Sequence, residues 1–278
     1  MKKILSILFF IIKNIVPFFR TIIDYFIKQK IKLILGGKEL NNMILTFPSF
    51  GVHNLLRKAQ NDDEILNFAE SVMCFFQVPS KRKPINNVLF RVFPIVSLAE
   101  VRSVSYLNSL LSSIDITPKI LPDKSETIEE DYSSNLISFG LSCTKSEEII
   151  NDNPFIEINK GTFMSSGNFS IKGSNLSFQN SREHSYAIII RKTLVERNTR
   201  IVCAGFDEWG TSGAAYCLAK QYNVIYDNMK KINGVKCFYK IPDFLCIVDA
   251  VREYDERAKI VAIWIEDDKV KNSIRKIL

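Results

Sequence analysis

The residues best equipped for chemistry lie in one stretch, Ile201-Val202-Cys203-Ala204-Gly205-Phe206-Asp207-Glu208-Trp209-Gly210-Thr211-Ser212-Gly213-Ala214-Ala215. An apolar strand-like run delivers the chain to Gly205, a four-residue loop returns at Gly210, and a helix is predicted from Thr211 or Ser212 to about Tyr222. In open α/β sheets ligands collect at the carboxyl ends of strands, where helix N-termini offer free N–H groups. Asp207 and Glu208 have the groups to bond ribose hydroxyls or a base, and Trp209 the ring to stack on one. Alternatively Glu208 serves as a general base or oxocarbenium stabiliser in nucleoside or nucleotide hydrolysis. The plain alternative is a solvated acidic turn whose Trp209 covers the sheet edge. The spacing Gly205-x4-Gly210 imitates a P-loop, but Thr211 stands where the phosphate-binding Lys belongs and two acids oppose a triphosphate. A P-loop NTPase is excluded.

A second strand-turn-helix pattern runs through Asn135-Leu136-Ile137-Ser138-Phe139-Gly140 into Leu141-Ser142-Cys143-Thr144, with residues 145–150 predicted helical. Gly140, Ser142 and Thr144 join Gly205, Asp207, Glu208, Trp209, Gly210 and Thr211 as the expected ligand-binding set. Cys143 as a nucleophile needs a base, and the chain has only His53, in a predicted linker, and His184, at the start of a predicted strand. The six cysteines form no CxxC pair and read as buried thiols of a reducing compartment, with no zinc site and no cofactor indicated. Ser142 and Ser212 lack the G-x-S-x-G setting of a hydrolase nucleophile.

The elements that must position these loops are legible from periodicity. Residues 38–52 read as a linker, 55–76 as a helix, and 87–93 as a strand. Ser97 opens a helix with Glu100 three residues on, a capping box, and Leu98, Val101, Val104, Leu107 and Leu111 are expected on its buried face. Residues 155–181 are short β runs separated by glycines. Residues 186–190, 199–204, 244–251 and 259–265 are the remaining strands, the last two around a charged turn.

At the two glycine loops the sequence resembles a known pattern. Leu136 to Thr144 is similar in position to a strand ending in Gly-Gly-Pro plus a small polar residue. Ser185 to Arg191 resembles an Asp-Tyr-Gly-Leu-Ile-x-Arg strand, and Val202 to Ala215 resembles an Ala-Gly-x4-Gly-Thr-x-Ala-Ala element. Together they resemble an uncharacterised Rossmann-like domain of bacterial and archaeal proteins, met in regulatory or surface-layer-like contexts, over about residues 85–266. The first loop departs from the pattern, with one Gly and no Pro. The resemblance implies a fold and brings no catalytic residue with it.

Charge then separates the chain into unlike parts. Of the net charge of +7 over 278 residues, residues 1–34 supply +6: Lys2, Lys3, Lys13, Arg20, Lys28, Lys30 and Lys32 against Asp24. The rest is nearly neutral and shows no helix-turn-helix or zinc pattern, so nucleic acid is an unexpected partner. The arm is rich in Ile, Leu and Phe, with polar residues 6, 13, 20, 24 and 28 along one helical stripe and a break expected at Pro17. That composition suits a helix lying in a lipid interface. A membrane span, with Lys13 near mid-bilayer, and packing on the protein's own core or on a sister subunit in a homo-oligomer are the alternatives.

The expectation is therefore an α/β fold: a Rossmann-like sheet with antiparallel β additions, preceded by N-terminal helices. Residues 1–35 form an amphipathic arm, 36–84 a linker and helical connector, and 85–278 the domain. The function expected is that of a membrane-associated small-ligand (nucleotide included) binding protein, sensor or effector, non-catalytic, with its main domain cytoplasmic. The rivals are a hydrolase using Glu208 and a structural or interaction module with a degenerate cleft.

Overall fold

A computed structural model describes residues 20–36, 40, 42–48, 97–123, 134–153, 155–159, 167–194, 198–233, 241–266 and 274–276. The helix expected at 55–76, the strand at 87–93 and His53 lie outside the described residues. In chain order the elements are α1 (20–35), β1 (Met43–Phe47), α2 (Leu98–Ser112), β2 (Lys119–Pro122), β3 (Asn135–Phe139) and α3 (Thr144–Asn151). There follow β4 (Ile156–Asn159), β5 (Asn168–Ile171), β6 (Ser177–Gln179), β7 (His184–Thr193) and β8 (Thr199–Gly205). The chain then forms α4 (Glu208–Lys220), α5 (Tyr222–Asn233), β9 (Phe244–Val251), β10 (Tyr254–Glu266) and β11 (Ile274–Lys276).

The protein is α/β, built on a mixed eight-stranded sheet of order β11-β10-β9-β7-β8-β3-β1-β2. The half containing β2, β1, β3 and β8 is parallel, and β7, β9, β10 and β11 are each antiparallel to their neighbours. Strands β3, β8 and β9 are buried along nearly their whole length, which is why they read as continuous apolar runs without alternation. One face of the sheet carries α1, α2, α4 and α5 over a core that includes Leu35, Leu107, Phe139, Ile189, Leu218 and Met229. The other carries α3 and the small sheet β4-β5-β6, packed through Ile149, Phe169, Ile188, Phe206 and Trp264.

Three expectations need correction. The stretch expected as a linker contains β1, an interior strand between β2 and β3 whose Met43, Ile44 and Leu45 are fully buried. Five residues, Met-Ile-Leu-Thr-Phe, buried on both faces give no periodic signal, so flanking polar residues and Pro48 dominated the reading. The arm does not end at 35 as a separate body either. Ile31, Ile34 and Leu35 belong to the main core, and Gly36 lies against Asn135 and Thr199, at the starts of β3 and β8. Third, the buried stripe of α2 is Ala99, Ser103, Leu107, Leu110 and Leu111, with Glu100 beside it, while Leu98 and Val101 are 61% and 54% exposed. Its N-terminal half turns polar groups inward, and apolar periodicity cannot reveal that.

Candidate functional site

Because β2 and β3 lie on opposite sides of β1, the chain reverses its direction of winding there. A crevice is expected beyond the carboxyl ends of β1 and β3. Both glycine loops open onto this edge. Phe139 pairs with Cys203, and the Gly140 N–H donates to the Cys203 carbonyl at 3.0 Å, so the Gly140 and Gly205 loops stand side by side.

The Gly205 loop is tighter than its sequence suggested. Helix α4 begins at Glu208, with Asp207 as its N-cap accepting from the Gly210 N–H at 2.8 Å. A Cβ on Gly205 would lie 2.6 Å from Gly210 Cα, and one on Gly213 would lie 2.6 Å from Ala250 Cβ. These glycines let the helix lie against the strands; they do not open a phosphate cradle. Phe206 leaves for the opposite face, where its ring centroid is 4.3 Å from that of Phe169. Thr211 is buried, its Oγ1 accepting from the Gly205 N–H at 3.1 Å. Asp207 also accepts from Ser185 Oγ at 2.5 Å and pairs with Arg252 at 3.0 Å. Asp207, Gly205, Gly210 and Thr211 thus hold the turn together, leaving Glu208, exposed, and Trp209, half-buried, to face outward.

The second loop is closed in the same way. Gly140 takes φ +82°, and Ser142 and Thr144 are exposed. The start of α3 is held by Asp123, whose carboxylate accepts from the Thr144 N–H at 3.0 Å and from its Oγ1 at 3.2 Å. The N-termini of α3 and α4 are each already matched with a carboxylate, which weakens their attraction for a phosphate.

What the edge does hold is Glu100. It is 6% exposed, and its Oε1 lies 3.4 Å from where a Gly140 Cβ would stand. Its Oε2 has no hydrogen-bond partner among the described residues, and neither have the buried Ser103 Oγ, one turn along α2, and Thr46 Oγ1, near the end of β1. Burial raises the Glu100 carboxyl above the ordinary range; its own and the Ser97 backbone N–H oppose this, and the charge of Glu208 adds to it. Ser97 is the N-cap expected, its Oγ accepting from the Glu100 N–H at 3.4 Å. The capping box was legible, but not that its acid is buried beside Gly140.

Beside Glu100, Arg102 lies over the Trp209 ring at 4.3 Å. Its guanidinium pairs with Asp255 at 3.1 Å and donates to Ser212 Oγ at 3.1 Å. Asp255 also accepts from Ser212 at 2.6 Å and from Tyr106 at 3.0 Å; burial and that carboxylate push the Tyr106 hydroxyl up to about 12. This network of α2, α4 and β10 fixes one face of Trp209.

A thiol nucleophile gains no support. Cys143 is buried and its thiol is pushed up to about 11, while the His184 ring bonds Asp249 at 2.6 Å across β7 and β9. Cys203, Cys217 and Cys246 are likewise buried and raised. No group of three or more metal-ligating side chains occurs among the described residues. Two cavities, about 230 and 100 Å³, lie around α3, away from the Gly205 loop.

Glu100 binds its proton more tightly folded than unfolded. The native state therefore loses stability as pH rises from the ordinary carboxyl range through the raised value, and carries no such loss below that window. Glu100→Gln keeps the shape of the protonated acid. It is expected to unfold at a higher temperature than wild type at about pH 7.5 but not at about pH 4. Melting curves showing the same offset at both pH values would contradict this.

No family model, curated protein or solved structure matches this chain.

Proposed function

We propose that the chain binds a small ligand in the crevice at the carboxyl ends of β1, β3 and β8, in a Rossmann-like domain, and works at a membrane surface through its N-terminal helix. The strand order β2-β1-β3-β8 with parallel register supports the Rossmann-like reading. The observation that carries the site is Glu100, a buried carboxyl with an unmet oxygen at the point where the winding reverses. Natural structures rarely leave such a group without a partner unless something else supplies one. Glu208 acts on the charge of Glu100 from the start of α4, with Trp209 beside it in the chain, and Ser142 lies on the neighbouring loop. The buried thiols fit a domain on the reducing, cytoplasmic side.

The membrane half rests on α1. Its last turns are in the core, but Ile23, Tyr25, Phe26 and Ile27 are 56%, 58%, 55% and 38% exposed, flanked by Arg20, Lys28, Lys30 and Lys32. Exposed aromatic and branched side chains among Lys and Arg are the composition of a helix in the lipid interface. No helix among the described residues is long and apolar enough to cross a membrane. In flotation with phosphatidylglycerol vesicles the full chain is expected to rise with the lipid. A chain that begins at Arg20 and carries Ile23→Gln, Phe26→Gln and Ile27→Gln is expected to stay behind. Equal flotation of the two would end the membrane reading.

A further inference from the structure

Four carboxylates lie at the edge beyond the carboxyl ends of the parallel strands: Glu100 on α2, Asp123 after β2, and Asp207 and Glu208 at the start of α4. Two of the four are committed. Asp123 holds the start of α3 through Thr144, and Asp207 holds Gly210, Ser185 and Arg252. Arg102, two residues on and so on another face of the helix, is turned to Asp255, Ser212 and Trp209. Glu100 is left with an oxygen that finds no donor among the described residues, in a position 94% withdrawn from solvent, and Glu208 repels its charge from α4.

From this we propose that the crevice takes a small organic cation, a primary amine or guanidinium, with its charged end on Glu100 and Glu208 and its carbon chain along Trp209. The inference rests on the crevice being a ligand site and names the class of that ligand. An ammonium or guanidinium group supplies a donor for Glu100 Oε2, and the indole of Trp209, which already holds Arg102 over its ring, is a group that attracts cations. A phosphate finds the opposite: the N-termini of α3 and α4 are capped by Asp123 and Asp207, and Glu100 and Glu208 repel it. The cation favours the ionised form of Glu100, so its binding expels a proton and its affinity rises with pH until Glu100 is ionised without it.

The test is a titration of the full chain with spermidine, agmatine, adenosine and ATP, read by Trp209 emission over the constant background of Trp264, which is buried. Spermidine or agmatine is expected to shift the emission, and to do so at lower concentration at about pH 8 than at about pH 5.5. Glu100→Gln is expected to weaken this at least tenfold, and Glu208→Gln, an exposed substitution that leaves the fold intact, about threefold. Cation binding that neither substitution weakens overturns the proposal, and so does a response to adenosine or ATP with none to the cations. In that last case the crevice stands as a ligand site of another class. A signal that no probe moves removes the crevice reading itself.

Discussion

Gly205→Ala is expected to cost about 3 kcal/mol of stability, near the top of what overpacking does. The new methyl would sit 2.6 Å from Gly210 Cα and from its carbonyl carbon and 2.7 Å from Thr211 N, all backbone atoms, so no side chain can swing away. To make room, the first turn of α4 must lift off β8. That breaks the bond from the Gly205 N–H to Thr211 Oγ1 and disturbs the Asp207 cap. Gly173→Ala is the control. Gly173 has nothing within 4 Å of its Cβ position and φ +76°, so only the backbone conformation opposes the substitution, at about 1 kcal/mol. Denaturant midpoints of the two variants measure the difference; equal losses would show that close approach is not the reason for the glycine at 205.

Arg191→Ala is expected to be more damaging, by about 3–5 kcal/mol, because it strands a buried network. The guanidinium is 5% exposed on β7 and donates to the Ile34 carbonyl at 2.9 Å, the Ile241 carbonyl at 3.2 Å and Asp243 at 2.9 Å. Asp243 in turn accepts from the Thr193 N–H and Oγ1, at 2.9 and 2.8 Å. Removing Arg191 takes a donor from two carbonyls, leaves Asp243 with Thr193 alone among the described residues and frees the end of α1. Hydrogen exchange should show the amides of residues 31–35 losing protection before those of β8. A loss under 1 kcal/mol would mean that α1 is held by apolar packing alone.

The strands β7, β8 and β9 were legible because buried β-branched runs bounded by polar turns have few other solutions. The two strand-glycine-helix units were legible because small residues mark where a helix meets a sheet. Strand β1 was not: five apolar residues beside Pro48 carry too little pattern to stand out from a linker. The site divides along the same line. Types and spacing placed Gly140, Gly205, Asp207, Glu208 and Trp209 together, and the structure brings the two loops side by side. Yet local sequence does not tell a carboxylate that caps a helix from one that is unmet. Asp207, expected as a ligand contact or a solvated turn, instead caps α4 through Gly210, accepts from Ser185 and pairs with Arg252. Glu100 drew attention only as a helix-start signal, because its burial beside Gly140 depends on a residue 40 positions away. The expected buried stripe of α2 missed it for the same reason.

Helix α1 enters the core by its last turns and is clamped there by Arg191, by Lys28 on Asp115 and by Lys30 on Asp227. Such an attachment transmits torque. A hand laid on residues 23–27 would turn the sheet with it, as a key turns a barrel, whereas a flexible leash would let the domain tumble. Any surface that grips those side chains therefore fixes which way the crevice looks. Fluorescence anisotropy of the gripped protein would stay high through the nanosecond emission lifetime, with no fast component from the domain.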